Sequence, residues 1–341
     1  SNGRFHSDWC SMMYPRLKLA RTLLSEDGVI FISVDDNEID NIKKICNDIY
    51  GIDNFIATMV WKSKPQGGND NKLIVTEHEY IIIYSKEINK VYLKGKLHDN
   101  NKYKNNDIHY EERGAYSLAK LDNSVLEYRI NLDYPIECPD KSLIYPGGVV
   151  KEEWNKRKNG GNSKRDWQWR WSEKKYKEAV ENDMVEFKYS NDKWKIYSKE
   201  YEKMDYNGKI IQREIKYRSI IDNITTINGT REFNKIFNER IFTYPKPIEL
   251  IQKFIRMALD SGERILDFFS GSATTAHAVM QLNAEDGGNR KFIMVQLPEP
   301  CDESSEAFRA GYKNICEIGK ERIRRAGEKI KEEIQGSNKQ L

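Results

Sequence analysis

Apolar positions at the start of the chain recur with helical spacing. Met13, Leu17, Ala20 and Leu24 share one face and predict a helix that ends in a turn at residues 25–28, with Gly28 as the break. Pro15 belongs in a first turn of that helix or at a kink. The run Val29–Val34 is nearly all apolar and reads as a buried strand. Asp35, Asp36, Asn37 and Glu38 then cap a second helix, with Ile39, Ile42, Ile45, Cys46 and Ile49 on one face. Two further strand-like runs, 55–62 and 79–85, have only a polar, glycine-bearing loop between them (about 63–76), so they predict an antiparallel hairpin. From about residue 90 to 240 the apolar alternation weakens, while Lys, Asn and Tyr rise. Regular patterning returns at 241–262, where Leu250, Ile251, Phe254, Ile255 and Ala258 predict a helix. Residues 265–266 form a short apolar strand. It breaks at Asp267 and small residues and restarts as a helix capped by Thr274 or Thr275. Residues 291–296 form another strand. Between 304 and 335 a charged helical region carries Ile315, Ile318, Ile323, Ala326 and Ile330 and predicts one or two surface helices on the sheet.

The pattern is that of an α/β protein whose sheet-forming halves lie at the two ends, 1–90 and 241–341, around an insert at 91–240. The length, 341 residues, accommodates two domains. No apolar run approaches the length of a membrane span. The N-terminal residues do not read as a signal peptide. Five scattered cysteines contain no Cys-x-x-Cys pair, which argues against a zinc site or a disulfide framework and for a reducing cytoplasm; no metal site is expected.

Net charge is only +3, but it is unevenly spread. Residues 94–240 carry 30 Lys+Arg against 25 Asp+Glu, so the positive balance sits in the insert. Five of the seven tryptophans lie there too: Trp154, Trp167, Trp169, Trp171 and Trp194. The sharpest basic stretch holds Lys156, Arg157, Lys158, Lys164, Arg165 and Arg170. Basic side chains neutralise phosphates, and aromatic ones stack or wedge, so this stretch is a candidate DNA contact. It also reads as a solvated basic loop beside a small aromatic core. The alternation of Trp167, Trp169 and Trp171 reads first as a strand with one aromatic face packed inward.

The chemistry concentrates at residues 264–279. A strand that ends in a glycine turn and opens a helix presents backbone N–H groups and the positive helix end to a ligand, and small side chains let that ligand come close. Asp267, at the strand's carboxyl end, faces the crevice where ligands of open α/β sheets sit. The residues Asp267, Phe268, Phe269, Ser270, Gly271, Ser272, Ala273, Thr274 and Thr275 resemble the cofactor loop of amino-methylating DNA methyltransferases, Asp-Pro-Phe-x-Gly-Ser-Gly-Thr-Thr. Phe268 replaces the proline and Ala273 a glycine, which puts the backbone path in question. In detail the chain resembles the modification (Mod) subunits of type III restriction-modification systems.

That resemblance implies a circularly permuted, Rossmann-like S-adenosylmethionine-dependent methyltransferase sheet with an antiparallel hairpin and an inserted α+β target-recognition domain. It implies S-adenosylmethionine as cofactor, held by the 267–275 loop, with Phe242, Thr243, Lys246 and Pro247 as a second wall. Gln296, or Glu299 three residues on, would take the ribose hydroxyls. Trp61 and Lys62, and the segment from Thr76 to Ile81, match family segments on the hairpin. Trp61, Lys62, Lys64 and His78 thus become candidates for DNA contact, with His78 equally readable as a structural histidine. The implied activity is methylation of the adenine exocyclic amine in double-stranded DNA, by a homodimer working with a restriction (helicase-nuclease) subunit. The family's catalytic Asp-Pro-Pro-Tyr motif would precede the first helix, and no Asp-Pro-Pro, Asn-Pro-Pro or Ser-Pro-Pro occurs in this sequence. The expectation is therefore a fragment that is inactive alone, with a sheet that lacks a central strand or pairs across the gap, and with low stability. A cytosine amino-methyltransferase and a non-catalytic DNA-binding module with a relic cofactor fold remain as alternatives. A nicotinamide dehydrogenase is disfavoured by the absence of Gly-x-Gly-x-x-Gly.

Overall fold

The computed structural model describes residues 5–64, 73–97, 102–162 and 166–337. Its contacts divide the chain into two units, residues 1–96 with 216–341, and residues 97–215.

In the first unit, helix α1 (Phe5–Leu23) and strand β1 (Val29–Val34) are followed by α2 (Ile39–Tyr50), β2 (Phe55–Trp61) and β3 (Glu79–Ser85). Chain from the far side of the second unit adds β4 (Ile220–Ile221), α3 (Thr226–Phe237), α4 (Ile248–Ala258), β5 (Arg264–Asp267), α5 (Thr274–Asp286), β6 (Lys291–Met294) and α6 (Ile315–Ser337). The expected hairpin is present. β2 and β3 are antiparallel, with an irregularity between Phe55 and Ala57, and β3 also pairs with β1 in the order β1-β3-β2-β4. The run from Tyr80 to Tyr84 lacks polar alternation because β3 is covered on both faces. Ile81 and Ile83 pack on one side and Ile82 and Tyr84 on the other, all essentially fully buried.

One face of the sheet receives α1 and α2 through Met13, Leu17, Ala20, Ile42, Cys46 and Tyr50. Pro15 lies inside α1 and does not end it. β1 is less buried than its composition predicted. Only Ile30 is buried, because β1 has β3 as its one described partner. The opposite face receives α4. This helix is apolar on two sides: Leu250, Phe254 and Met257 meet the sheet, while Ile248 and Ile255 meet Ala278, Val279 and Leu282 of α5. Each such burial contributes about 1.5–3 kcal/mol, and α4 thereby joins the four-stranded sheet to β5, α5 and β6. β5 and β6 pair in parallel as a separate two-stranded sheet. Among the described residues β1 and β5 are not paired, so of the two expected outcomes direct pairing is not the one found.

Residues 216–240, assigned from composition to the insert, pack with the first unit. β4 runs parallel to β2, Val60 N–H donates to the Ser219 carbonyl at 2.8 Å, and the Thr226 hydroxyl donates to the Ser63 carbonyl at 2.9 Å. Backbone pairing of this kind leaves no mark on composition.

The second unit is α+β. A three-stranded antiparallel sheet runs Val185–Ser190, Lys193–Tyr201, Tyr116–Lys120, beside the pair Asp122–Val125 with Asp166–Trp169 and the helix Glu173–Glu181. The tryptophan alternation does not give one inward face. Trp169 is buried, Trp171 is partly buried and Trp167 is exposed, because the strand stops at Trp169 and its neighbour Gln168 is also buried. Trp167 lies across Gly147, where a Cβ would sit 2.5 Å from the indole and where φ is +79°.

Candidate functional site

The loop after β5 has the strand-turn-helix form read from the sequence. Asp267 closes the turn on itself: Oδ1 accepts from the Phe269 N–H at 3.2 Å and Oδ2 from the Thr275 hydroxyl at 2.6 Å. The strand next door holds the turn from the side. Ser270 N–H donates to the Val295 carbonyl at 3.2 Å, and Gly271 N–H to Gln296 Oε1 at 2.8 Å. Gln296 thus spends its oxygen on the loop and its amide on the Leu297 carbonyl, while Glu299 is exposed. Gly271 has φ +49° and Ala273, the residue before α5, has φ +59° and ψ +38°. Ala273 therefore takes a left-handed conformation, one that a glycine would adopt without strain.

The loop's surroundings are also defined. Phe268 packs against the α1/α2 core, and Phe269 is about half exposed at the mouth. A Cβ placed on Gly271 would meet Phe242 Cζ at 3.6 Å, so Phe242 stands beside the turn. Thr243 is exposed, Pro247 is buried at the start of α4, and Lys246 pairs with Glu79 and lies 4.8 Å over the Trp61 ring. α3 presses on this segment through Gly229, whose added Cβ would fall 2.2 Å from the Pro245 carbonyl oxygen.

Behind the loop lies a residue that the sequence reading left out. Arg322 of α6 is fully buried. Its Nη1 donates to Ser272 Oγ at 2.9 Å and to Thr274 Oγ1 at 2.6 Å, and its guanidinium stacks 5.4 Å over Phe233. Nε and Nη2 find no protein partner among the described residues. Burial pulls its pKa down to about 10, which leaves it charged at neutral pH. His277 in α5 is buried too; desolvation first, then Arg322 and Lys329, push it down to about 3, so it is neutral. A signal for Arg322 existed in the sequence: with Ile318 and Ala326 it falls on one helical stripe, a charge where the pattern calls for an apolar residue.

The structure separates the candidate DNA contacts. Trp61 is fully buried, with its indole N–H on the Ile224 carbonyl at 2.6 Å, and is a core residue rather than a DNA contact. Arg157 is likewise removed: it is 5% exposed and grips the wholly buried Asp133 through Nε (2.7 Å) and Nη2 (2.9 Å). Lys158 donates to the Ile130 and Asp133 carbonyls. Lys62 pairs with Glu77 at 3.3 Å, and His78 Nε2 lies 2.8 Å from the Tyr80 hydroxyl, which donates to Asp36. Lys64, Lys156 and Arg170 are exposed. Lys164 and Arg165 lie outside the described residues.

A strand that ends in a small-residue turn and opens a helix, within an α/β unit, is the arrangement nucleotide-type cofactor proteins use, and the chain carries a separate α+β unit as well. The family pattern for DNA methylases matches residues 2–326, and the chain belongs to that family. It is similar to the Mod subunit of the type III restriction-modification enzyme StyLTI from Salmonella typhimurium, 32% identical over 98% of this chain and 48% of the relative. The Mod subunit of EcoP15I from Escherichia coli is 33% identical over 96% and 52%. The type II methyltransferase M.KpnI from Klebsiella pneumoniae is 30% identical over 92% and 72%. The chain spans about half the length of the two Mod subunits. No described helix is long and apolar enough to cross a membrane.

Proposed function

We propose that this chain binds S-adenosylmethionine at the Asp267–Thr275 loop and serves as the cofactor-binding and target-recognising part of a DNA methyltransferase. The methyl group would pass to the exocyclic amine of adenine in double-stranded DNA. The observation that carries the reading is the loop itself, where Asp267 braces a turn whose backbone opens directly into α5.

The residues present fit the cofactor. Gly271, in a left-handed conformation beside Phe242, leaves a cradle without a side chain. The first turn of α5 has N–H groups without intrahelical acceptors, suited to a carboxylate. Phe242 and the half-exposed Phe269 supply apolar walls. When bound, the cofactor supplies an activated methyl group on a sulfonium. The chain's own part is to hold it in place, Asp267 and Thr275 keeping the turn rigid and Gln296 tying the turn to β6. Thr243, Lys246 and Pro247 form the outer wall in this reading.

Recognition of DNA belongs to the insert, with the exposed Lys156 and Arg170 as its phosphate contacts and Lys64 contributing from the hairpin loop. Similarity to Mod subunits supports adenine as target, a homodimer as the working form, a restriction subunit as partner and the cytoplasm as location. The base chemistry is assigned to no described residue.

The test is calorimetric titration of S-adenosylmethionine into the chain and into Asp267→Ala. Binding that is lost in the variant is expected. Equal binding by both would place the cofactor elsewhere.

A further inference from the structure

We propose that Arg322 is a positioning residue of the cofactor loop, holding the Ser272-Ala273-Thr274 turn in its ligand-receiving shape from behind. The proposal rests on the reading of that loop as the S-adenosylmethionine site.

Four observations converge on it. One guanidinium nitrogen, Nη1, reaches the hydroxyls on either side of Ala273, across 48 and 50 residues of sequence. No other described hydrogen bond reaches Ser272 Oγ or Thr274 Oγ1. The residue between them is a non-glycine in the left-handed region, a conformation that persists only where its surroundings impose it. One turn earlier on α6, Gly319 lets the helix backbone close on the loop: a Cβ there would stand 3.2 Å from the Gly271 carbonyl oxygen.

The electrostatics argue that stability alone does not account for this arginine. No described carboxylate hydrogen-bonds it. Glu232 acts on it only through space and itself accepts from the Ile248 N–H at 2.8 Å. A buried cation left without a bonded counter-ion is a poor way to stabilise a core, and well-packed apolar residues do as well or better. What Arg322 provides and an apolar residue would not is a fixed orientation of two hydroxyls and of the strained turn between them.

The experiment compares wild type with Arg322→Lys, Arg322→Met and the loop-side pair Ser272→Ala/Thr274→Val, which keeps the arginine. Amide hydrogen exchange across residues 268–276 is read without ligand, and S-adenosylmethionine affinity by calorimetry. Arg322→Met is expected to raise exchange in the loop while exchange in β2 and β3 stays as in wild type, and to weaken the cofactor by at least about tenfold, the scale of one lost charge-assisted hydrogen bond. Arg322→Lys should recover part of the affinity. Adding Arg322→Met to the Ser272→Ala/Thr274→Val pair should cost little more than either change alone, because all act through one contact. If Arg322→Met does not fold, the loop-side pair must by itself raise exchange at 268–276. Unchanged exchange with wild-type affinity, or full additivity between the two sides, overturns the proposal. Raised exchange in a chain that binds no S-adenosylmethionine at all supports the positioning role and overturns the cofactor assignment instead.

Discussion

The Thr275 hydroxyl donates to Asp267 Oδ2 at 2.6 Å, so the last residue of β5 is tied to the first turn of α5 across the intervening loop. A hydrogen bond to a charged group contributes about 1.5–3 kcal/mol. Thr275→Val keeps shape and burial but removes the donor, and it is expected to weaken S-adenosylmethionine by about tenfold or more, whereas Thr275→Ser should bind nearly as wild type. Calorimetry decides it. A valine variant with unchanged affinity would mean that the brace does not matter to the ligand.

Gly229 permits the contact between α3 and the segment that opens α4. An alanine Cβ would fall 2.2 Å from the Pro245 carbonyl oxygen, a backbone atom that cannot swing aside. Gly229→Ala should therefore destabilise by about 1–3 kcal/mol despite alanine's better helix propensity. Urea unfolding measures this, and a stabilised variant would show that α3 packs differently.

Asp133 is wholly buried and accepts from Arg157, from the Trp154 indole at 2.9 Å and from the Tyr128 hydroxyl at 2.7 Å. Asp133→Ala removes the main counter-ion of a buried guanidinium, leaving Arg157 only the longer contact to Asp166 at 3.3 Å, and should cost about 3 kcal/mol in chemical denaturation. Lys156→Ala, one position from Arg157 but exposed, should leave stability within about 0.5 kcal/mol and lower the slope of DNA affinity against salt by about one unit. The reverse outcome, with Lys156 inert toward DNA, would remove it from the interface.

His277 links stability to pH. Its folded pKa, about 3, lies below the ordinary 6.5, because burial and the nearby Arg322 and Lys329 disfavour the imidazolium. Between those values the unfolded chain binds a proton that the folded chain refuses. Stability from this group is therefore complete above pH 6.5 and falls by about 1.4 kcal/mol per unit as pH drops toward 3. Between pH 7 and pH 5 the wild type should lose about 2 kcal/mol more than His277→Gln in parallel urea titrations. Parallel losses would show that His277 is protonated without unfolding.

How much was legible differs element by element. The 264–279 loop was readable because the bonds that close it on itself are short-range: Asp267 to Phe269 and Thr275 span a few residues, and the glycine and hydroxyl positions that permit the turn stand in line. The fate of Arg157 was not readable. Beside Lys156 and Lys158 it looked like one more phosphate contact, and only the arrival of Asp133 from 24 residues away made it a core ion pair. Trp61 was misread for the same reason, since its indole partner, the Ile224 carbonyl, lies 163 positions on. Composition placed residues 216–240 in the insert; strand pairing with β2 placed them in the sheet unit.

What the sequence by itself determined is whatever local periodicity and short-range hydrogen bonding dictate: the strand-helix units, the hairpin, the small-residue turn and the family to which they belong. The tertiary structure alone decided which charges are buried, which aromatic residues are core, and that a single arginine from the last helix stands behind the turn that opens α5. The reason is physical. A side chain's type states what it can bond to, but its burial and its partner depend on which distant segments fold against it, and neither is encoded in its neighbours.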